Sequence, residues 1–261
     1  MAGPQRLPPA PPPLHPHETF DLLWGNRVGL VQARAGYRTS VDSLALAWFG
    51  VSLARQIGLA VGDLADLGAG SGLVAIAAAL AEPGSRAHLY ELQPQLADRA
   101  RRNLEHNGLA GRSTVHLVDL ARPPPPAPAD LVLCNPPFRQ YPDQPPPDPE
   151  RRVAHFDAGM ALPALVTALL AAVDRRGVGC IIYPWKHRQR LEQVLQSSGV
   201  AVQFWPLLHR PSDPEPVRVL AAVRRGPLPP VVPLSLHCDG QPDSQFARPI
   251  AAFIESLHAG P

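Results

Sequence analysis

The chain has 261 residues, 45% apolar and 18% charged, enough to bury one large core, so a single domain is the default. Its net charge of +2 argues against a strongly basic nucleic-acid coat. No apolar stretch is long and clean enough to span a bilayer, and the N-terminus lacks the basic-then-apolar order of a signal peptide. Cys134, Cys180 and Cys238 stand far apart without a Cys-x-x-Cys, so neither a disulfide framework nor a zinc site is expected, and the reading is a cytoplasmic protein without a metal.

The 34 prolines are unevenly placed: they crowd the first sixteen residues, 123–128, 142–149 and 227–233. Residues 1–17 have few apolar anchors and read as a disordered proline-rich tail, with the ordered domain running over 18–261. Val28-Gly29-Leu30-Val31-Gln32 suggests a short hairpin turning near Gly25 and Asn26. Thr39-Ser40-Val41-Asp42 opens a helix, with Thr39 as cap and Asp42 reaching back. A plain capping box and a ligand role for Asp42 are equally open here.

From residue 63 onward, strands and helices alternate. Strands are expected near 64–67, 87–91, 114–118, 130–134, 178–183, 200–207 and 216–224, and helices near 71–81, 94–107, 160–174 and 186–198. Such alternation implies a largely parallel α/β sheet with helices on both faces, whose ligands lie beyond the carboxyl ends of the strands.

Two local patterns fall at those ends. Leu64 to Gly72 gives an apolar strand, then Gly68, Gly70 and Gly72, then the helical run from Leu73. Glycines there let backbone approach a ligand beside a helix N-terminus. A dinucleotide site wants G-x-G-x-x-G, and Leu73 occupies its sixth position, which disfavours a nicotinamide dehydrogenase. Glu91 ends the next apolar run and Asp119 the third. The second pattern is Asn135-Pro136-Pro137-Phe138, closing the strand Leu131 to Cys134. Its rigid turn carries one amide, free carbonyls and an aromatic ring, and a plain proline-stiffened turn is the bland alternative. Asn135 Oδ1 and the Pro136 carbonyl can accept two N–H bonds of a planar amine while Phe138 stacks on its ring.

The spacing G-x-G-x-G resembles motif I of S-adenosylmethionine-dependent methyltransferases. With Glu91, Asp119 and Asn-Pro-Pro-Phe in order, the chain resembles the amino-methylating branch of the class I enzymes. Within it the chain is similar to the bacterial valine-tRNA (adenine-N6)-methyltransferases over nearly everything after residue 18, including Leu30-Val31-Gln32 and Gly36-Tyr37-Arg38-Thr39-Ser40-Val41-Asp42. The resemblance implies a Rossmann-like sheet of seven strands, mostly parallel, the last antiparallel, and S-adenosyl-L-methionine as cofactor. It implies that Asp66, Gly68, Gly70 and Gly72 bracket the methionine part, that Glu91 accepts from the ribose, and that Asp119 and Leu120 meet the adenine. Gln32, Tyr37, Ser40 and Asp42 would wall the cofactor and substrate, with Asn135, Pro136, Pro137 and Phe138 as the catalytic loop. The chain departs from the family at Ala154-His155-Phe156-Asp157 and Gln245-Phe246, in stretches expected to touch nucleic acid.

The implied reaction is methyl transfer to adenine N6 in RNA, with tRNA as partner, no membrane, and a monomeric enzyme. Arg139, Arg151, Arg152, Lys186, His187, Arg188 and Arg190 are candidates for phosphate contacts, or exposed solubilising charges. Two rivals stand beside this reading. A protein glutamine-N5 methyltransferase of the release-factor type uses the same Asn-Pro-Pro logic, usually behind a helical domain for which only about sixty residues are present here. A non-catalytic RNA-binding protein on this fold should have lost one of Asp66, the glycines, Glu91 or Asn135, and all are present.

Overall fold

The computed structural model describes residues 10–24, 26–35, 38, 40–122, 126–136, 162–197, 199–208, 213–230, 234–235, 253–254 and 257. The first two strands, β1 (Glu18–Leu23) and β2 (Val28–Ala33), form the expected antiparallel hairpin. Helix α1 (Val41–Gln56) follows, then β3 (Asp63–Leu67), α2 (Leu73–Ala81), β4 (Arg86–Glu91), α3 (Pro94–His106), β5 (Ser113–Leu117) and β6 (Ala129–Cys134). After these come α4 (Leu162–Ala172), β7 (Val173–Pro184), α5 (Arg188–Gln196), β8 (Ala201–Leu208), β9 (Arg218–Arg224) and the two-residue β10 (Leu234–Ser235).

The main sheet runs β10-β8-β9-β7-β6-β3-β4-β5. All neighbours are parallel except β9, which is antiparallel to both β7 and β8. The seven long strands therefore give the expected mostly parallel sheet with its last strand reversed. The short β10 at the edge is an addition, and it follows the proline cluster 227–233 that carried no strand pattern. A second difference is the early start of β7 at Val173, where pairing with Ala129 draws the chain into the sheet and shifts the register before Leu131 pairs with Val178.

Alternation along the strands sorts the core into two layers. Leu64, Leu89, Leu131, Leu133, Cys180 and Ile182 pack under α1, α2 and α3. Ala65, Leu67, Val132, Cys134, Ile181 and Tyr183 pack under α4 and α5. Burial pushes the Cys134 and Cys180 thiols well up, so both behave as small apolar groups.

The hairpin docks on α3 through polar groups. Asn103 Oδ1 accepts from Val31 N at 2.6 Å while its Nδ2 donates to Val31 O at 3.1 Å. One turn later, Asn107 does the same for Gly29, with Oδ1 accepting from N at 3.1 Å and Nδ2 donating to O at 2.8 Å. Two amides at i and i+4 thus imitate the edge of a strand. Gly29 leaves room for the His106 ring, since a Cβ there would lie 2.3 Å from His106 Nε2 and would push the ring aside. Glu18, buried, adds ion pairs to Arg99 at 2.9 Å and Arg102 at 2.7 Å. Order reaches into the stretch expected as a tail, since His15 N donates to Glu18 Oε2 and Arg102 Nη1 to Pro13 O. Residues 1–9 lie outside the described residues.

Candidate active site

Beyond Leu67 the chain turns on three left-handed glycines, with φ of +74° at Gly68, +57° at Gly70 and +88° at Gly72. Side chains rarely tolerate this region, which explains the residue type at each position. Gly68 N and Ala69 N both donate to Tyr90 O, at 2.9 and 3.0 Å, which pins the turn to the end of β4. Gly72 precedes α2, and a Cβ there would come within 3.1 Å of Leu89 Cδ2 and 3.4 Å of Ala100 Cβ. At Gly68 a Cβ would meet nothing within 4 Å, so that part of the turn faces open space.

Two carboxylates brace this turn from the α1–α3 side of the sheet. Asp66 is buried, and its Oδ2 accepts from Ala75 N in the first turn of α2 at 3.1 Å. Its Oδ1 is also buried but has no partner among the described residues. Burial, with the nearby Glu91 charge, pushes the Asp66 carboxyl up to about 7 against the pull of the Ala75 hydrogen bond. Glu91 Oε2 accepts from Gly70 N at 2.7 Å and Oε1 from Gln93 N at 2.8 Å, so Glu91 holds the middle of the turn. Asp119 lies just past β5, where Oδ1 accepts from Ala121 N at 3.0 Å and Oδ2 is 3.1 Å from Arg122 Nε. Val118 N donates to Glu91 O, which ties that corner to Glu91, while Leu120 packs partly into the layer under α4 and α5.

Asn135 follows Cys134, and Cys134 pairs directly with Leu67. Asn135 and Gly68 are therefore the first residues beyond neighbouring strand ends. Alternation from Leu131 and Leu133 puts Asn135 on the face of Asp66 and Glu91. Its Nδ2 reaches Ser43 Oγ of α1 at 3.4 Å. Pro136 is buried behind it, while Pro137 and Phe138, with the candidate phosphate contacts Arg139, Arg151 and Arg152, lie outside the described residues. So do Ala154-His155-Phe156-Asp157, Gln245-Phe246 and Cys238.

Of the residues expected to wall the site, Gln32, Ser40 and Asp42 lie among the described residues. Gln32 is buried on β2, where its Nε2 donates to Asp21 Oδ2 across the hairpin at 2.8 Å. The α1 cap is Ser40 rather than Thr39: Ser40 has extended backbone and its Oγ accepts from Asp42 N at 3.3 Å. The Thr39 end of the expected capping box lies outside the described residues, and Asp42 Oδ2 is 2.9 Å from both Nε and Nη2 of Arg218 on β9, a charge-assisted pair for a buried carboxylate. Thr39 and Tyr37 lie outside the described residues.

Three participants were not singled out from sequence. Ser43 and Arg218 become visible only through contacts spanning 92 and 176 residues. Asn103 carried a weak signal, a short amide between Ala100 and Leu104 on the buried face of α3.

The donor set suits a nucleoside linked to an amino acid. An open left-handed glycine turn, a buried Asp66 oxygen awaiting a hydrogen-bond donor and the Glu91 carboxylate lie along one strand-end crevice. Residues 52–145 match the family described as the methyltransferase small domain. A tRNA1(Val) (adenine(37)-N6)-methyltransferase from Enterobacter sp. (strain 638) is 29% identical over 155 residues, covering 58% of this chain and 60% of that protein. A ribosomal protein uL3 glutamine methyltransferase from Bordetella pertussis is 36% identical over 73 residues, covering 28% of this chain and 24% of that protein. The matches thus span less than two thirds of the length of these relatives. Among solved structures, a "predicted O-methyltransferase" from Agrobacterium tumefaciens superposes with a TM-score of 0.61 at 20% identity, covering 82% of this chain and 97% of that one, a likeness of fold. The family match indicates S-adenosylmethionine as the cofactor, and the chain has the class I S-adenosylmethionine-dependent methyltransferase fold and resembles the bacterial valine-tRNA adenine-N6-methyltransferases.

Proposed function

We propose that this protein transfers a methyl group to the exocyclic N6 of an adenine in RNA, with tRNA as the substrate class. The observation that carries the reading is the place of Asn135, one residue beyond β6, level with the glycine turn and on the same face as Asp66 and Glu91. S-adenosylmethionine, when bound, supplies a methyl group on a sulfonium leaving group. Gly68, Gly70, Gly72 and Asp66 would hold its amino-acid end, Glu91 its ribose, and Asp119 with Leu120 its base. Gln32, Ser40 and Asp42 would line the approach.

The chain's own task is orientation. An adenine amine is a poor nucleophile because its lone pair is shared with the ring. Two acceptors, Asn135 Oδ1 and the Pro136 carbonyl, would take its N–H bonds and turn the lone pair toward the methyl group. In a dry site each contributes roughly 1–3 kcal/mol. Phe138 would stack on a base drawn out of its strand, at a cost of about a few kcal/mol that is least in a single-stranded loop, which favours a tRNA loop. Lys186, His187, Arg188 and Arg190 flank the neighbouring strand end, and Arg188 lies over the Trp185 ring at 4.3 Å from its centroid. They would take phosphates.

The likeness to a uL3 glutamine methyltransferase favours one second reading, transfer to a side-chain amide held by the same Asn135–Pro136 pair. Incubation with labelled cofactor and separate pools of tRNA, rRNA, DNA and release factors separates the two. Label in tRNA, recovered as N6-methyladenosine, is the expected result. Label confined to protein would replace the proposal with the second reading. Absence of saturable cofactor binding in calorimetry would remove both and leave an RNA-binding scaffold.

A further inference from the structure

We infer that Ser43 is a positioning residue for Asn135: its hydroxyl anchors the amide nitrogen from α1 and so limits the rotation of the carboxamide that is to meet the acceptor amine. This rests on the methyl-transfer reading of Asn135 and adds to it the device that holds the amide still. A serine hydroxyl can accept from Nδ2 or donate to Oδ1, so what it supplies is a fixed anchor for the amide plane. An amide free to turn would meet the N–H bonds of the substrate only part of the time.

The geometry behind the inference is built over several elements. Ser43 is in the first turn of α1, only 3% exposed, with Oγ 3.4 Å from Asn135 Nδ2. That distance is long for a hydrogen bond, as contacts at reaction centres often are before substrate binds. Seven residues later on the same face of α1, Gly50 rests on β6: a Cβ there would be 2.5 Å from Leu133 and 3.3 Å from Leu131. Gly50 thus lets α1 lie close on β6, and Ser43, two helical turns earlier on the same face, reaches Asn135 at the end of that strand.

The same turn is held against rotation. Asp42 is ion-paired to Arg218 at the start of β9, and Ser43 N donates to Ser40 O at 3.1 Å. Helix, strand end and sheet partner thus fix Ser43 from three sides, and the Asn135 amide meets a preset acceptor. Asn135 Nδ2 needs a partner in a dry site, and among the described residues Ser43 Oγ supplies it.

Ser43→Ala and Ser43→Thr, compared with wild type and Asn135→Ala, test this in full-length protein. Ser43→Ala is expected to lower kcat about tenfold, the size of one lost hydrogen bond, with KM for tRNA and cofactor Kd within about twofold. Ser43→Thr, which keeps the hydroxyl, is expected to recover most of kcat. In wild type, NMR should show slowed exchange at the Asn135 Nδ2 protons, assigned by their loss in Asn135→Asp, and Ser43→Ala should abolish it. Wild-type kcat in Ser43→Ala, or rapid exchange at Asn135 Nδ2 in wild type, overturns the inference. Should Asn135→Ala itself transfer at the normal rate, the methyl-transfer role of Asn135 fails instead, while the exchange measurement still decides the contact with Ser43.

Discussion

Asn103 and Ser71 join the N-terminal hairpin to the glycine turn: one amide nitrogen donates to Ser71 O at 2.8 Å and to Val31 O at 3.1 Å. The residue has no measurable exposure, so neither carbonyl can turn to water when it is removed. Asn103→Ala is expected to destabilise the protein by about 2–4 kcal/mol, the cost of leaving buried polar groups unpaired. It should also weaken cofactor binding through the slackened turn. Urea unfolding and calorimetry on the same variant measure both effects, and Asn103→Leu should restore neither.

Acid stability should depend on Glu18. Burial alone would raise its carboxyl, but hydrogen bonds from Arg102, His15 N–H and Arg99 outweigh burial and hold it at about 2, below the ordinary 4.5. A carboxyl lowered on folding contributes stability that is fully present above pH 4.5 and lost as pH falls toward 2. Thermal unfolding of wild type should therefore fall steeply across that window. Glu18→Gln should flatten the slope and lower the melting temperature near neutrality.

Asp66 runs the other way. Its carboxyl is raised by burial and by Glu91, from 3.8 to about 7, so the folded state holds a proton that the unfolded state releases. Stability should fall as pH rises from about 4 to 7 on this account, and Asp66→Asn should remove the trend. A donor bound at the unpartnered Oδ1 would favour the ionised form. Cofactor binding near pH 6 should then release protons, visible as a buffer-dependent heat in calorimetry, and Asp66→Asn should abolish that dependence.

Much of this architecture was legible because its signals are local. Short apolar runs gave β3, β4, β5 and β6 close to their bounds, and three glycines in five residues gave the turn. Glu91 could be read as a strand-end residue for the same reason, while Asp66 is marked only by the resemblance to the family. What stayed hidden depends on distant pairing. Ser40 and Thr39 are both hydroxyl residues able to cap a helix, and the sequence pattern does not choose between them; Ser40 is the cap. Asp42 meets Arg218, 176 residues away, a partner that no local pattern could show. Nothing near Val173 signals a strand, and its inclusion in β7 follows from pairing with Ala129.

Substitutions in the crevice should separate cofactor binding from transfer. Asn135→Ala removes an amide that, among the described residues, meets Ser43 and not the glycine turn, so cofactor affinity should stay near wild type while transfer falls by at least about a hundredfold, the worth of the lost acceptor plus misorientation. Gly70→Val places a β-branched residue at φ of +57°, a conformation costing of order 1–3 kcal/mol, and should weaken cofactor binding about tenfold or more. Glu91→Ala strips the acceptor from Gly70 N and Gln93 N and should act in the same direction. Calorimetric Kd beside single-turnover transfer rates on tRNA reads both effects. An Asn135→Ala enzyme that binds cofactor poorly would move Asn135 from the acceptor side of the crevice to the cofactor side.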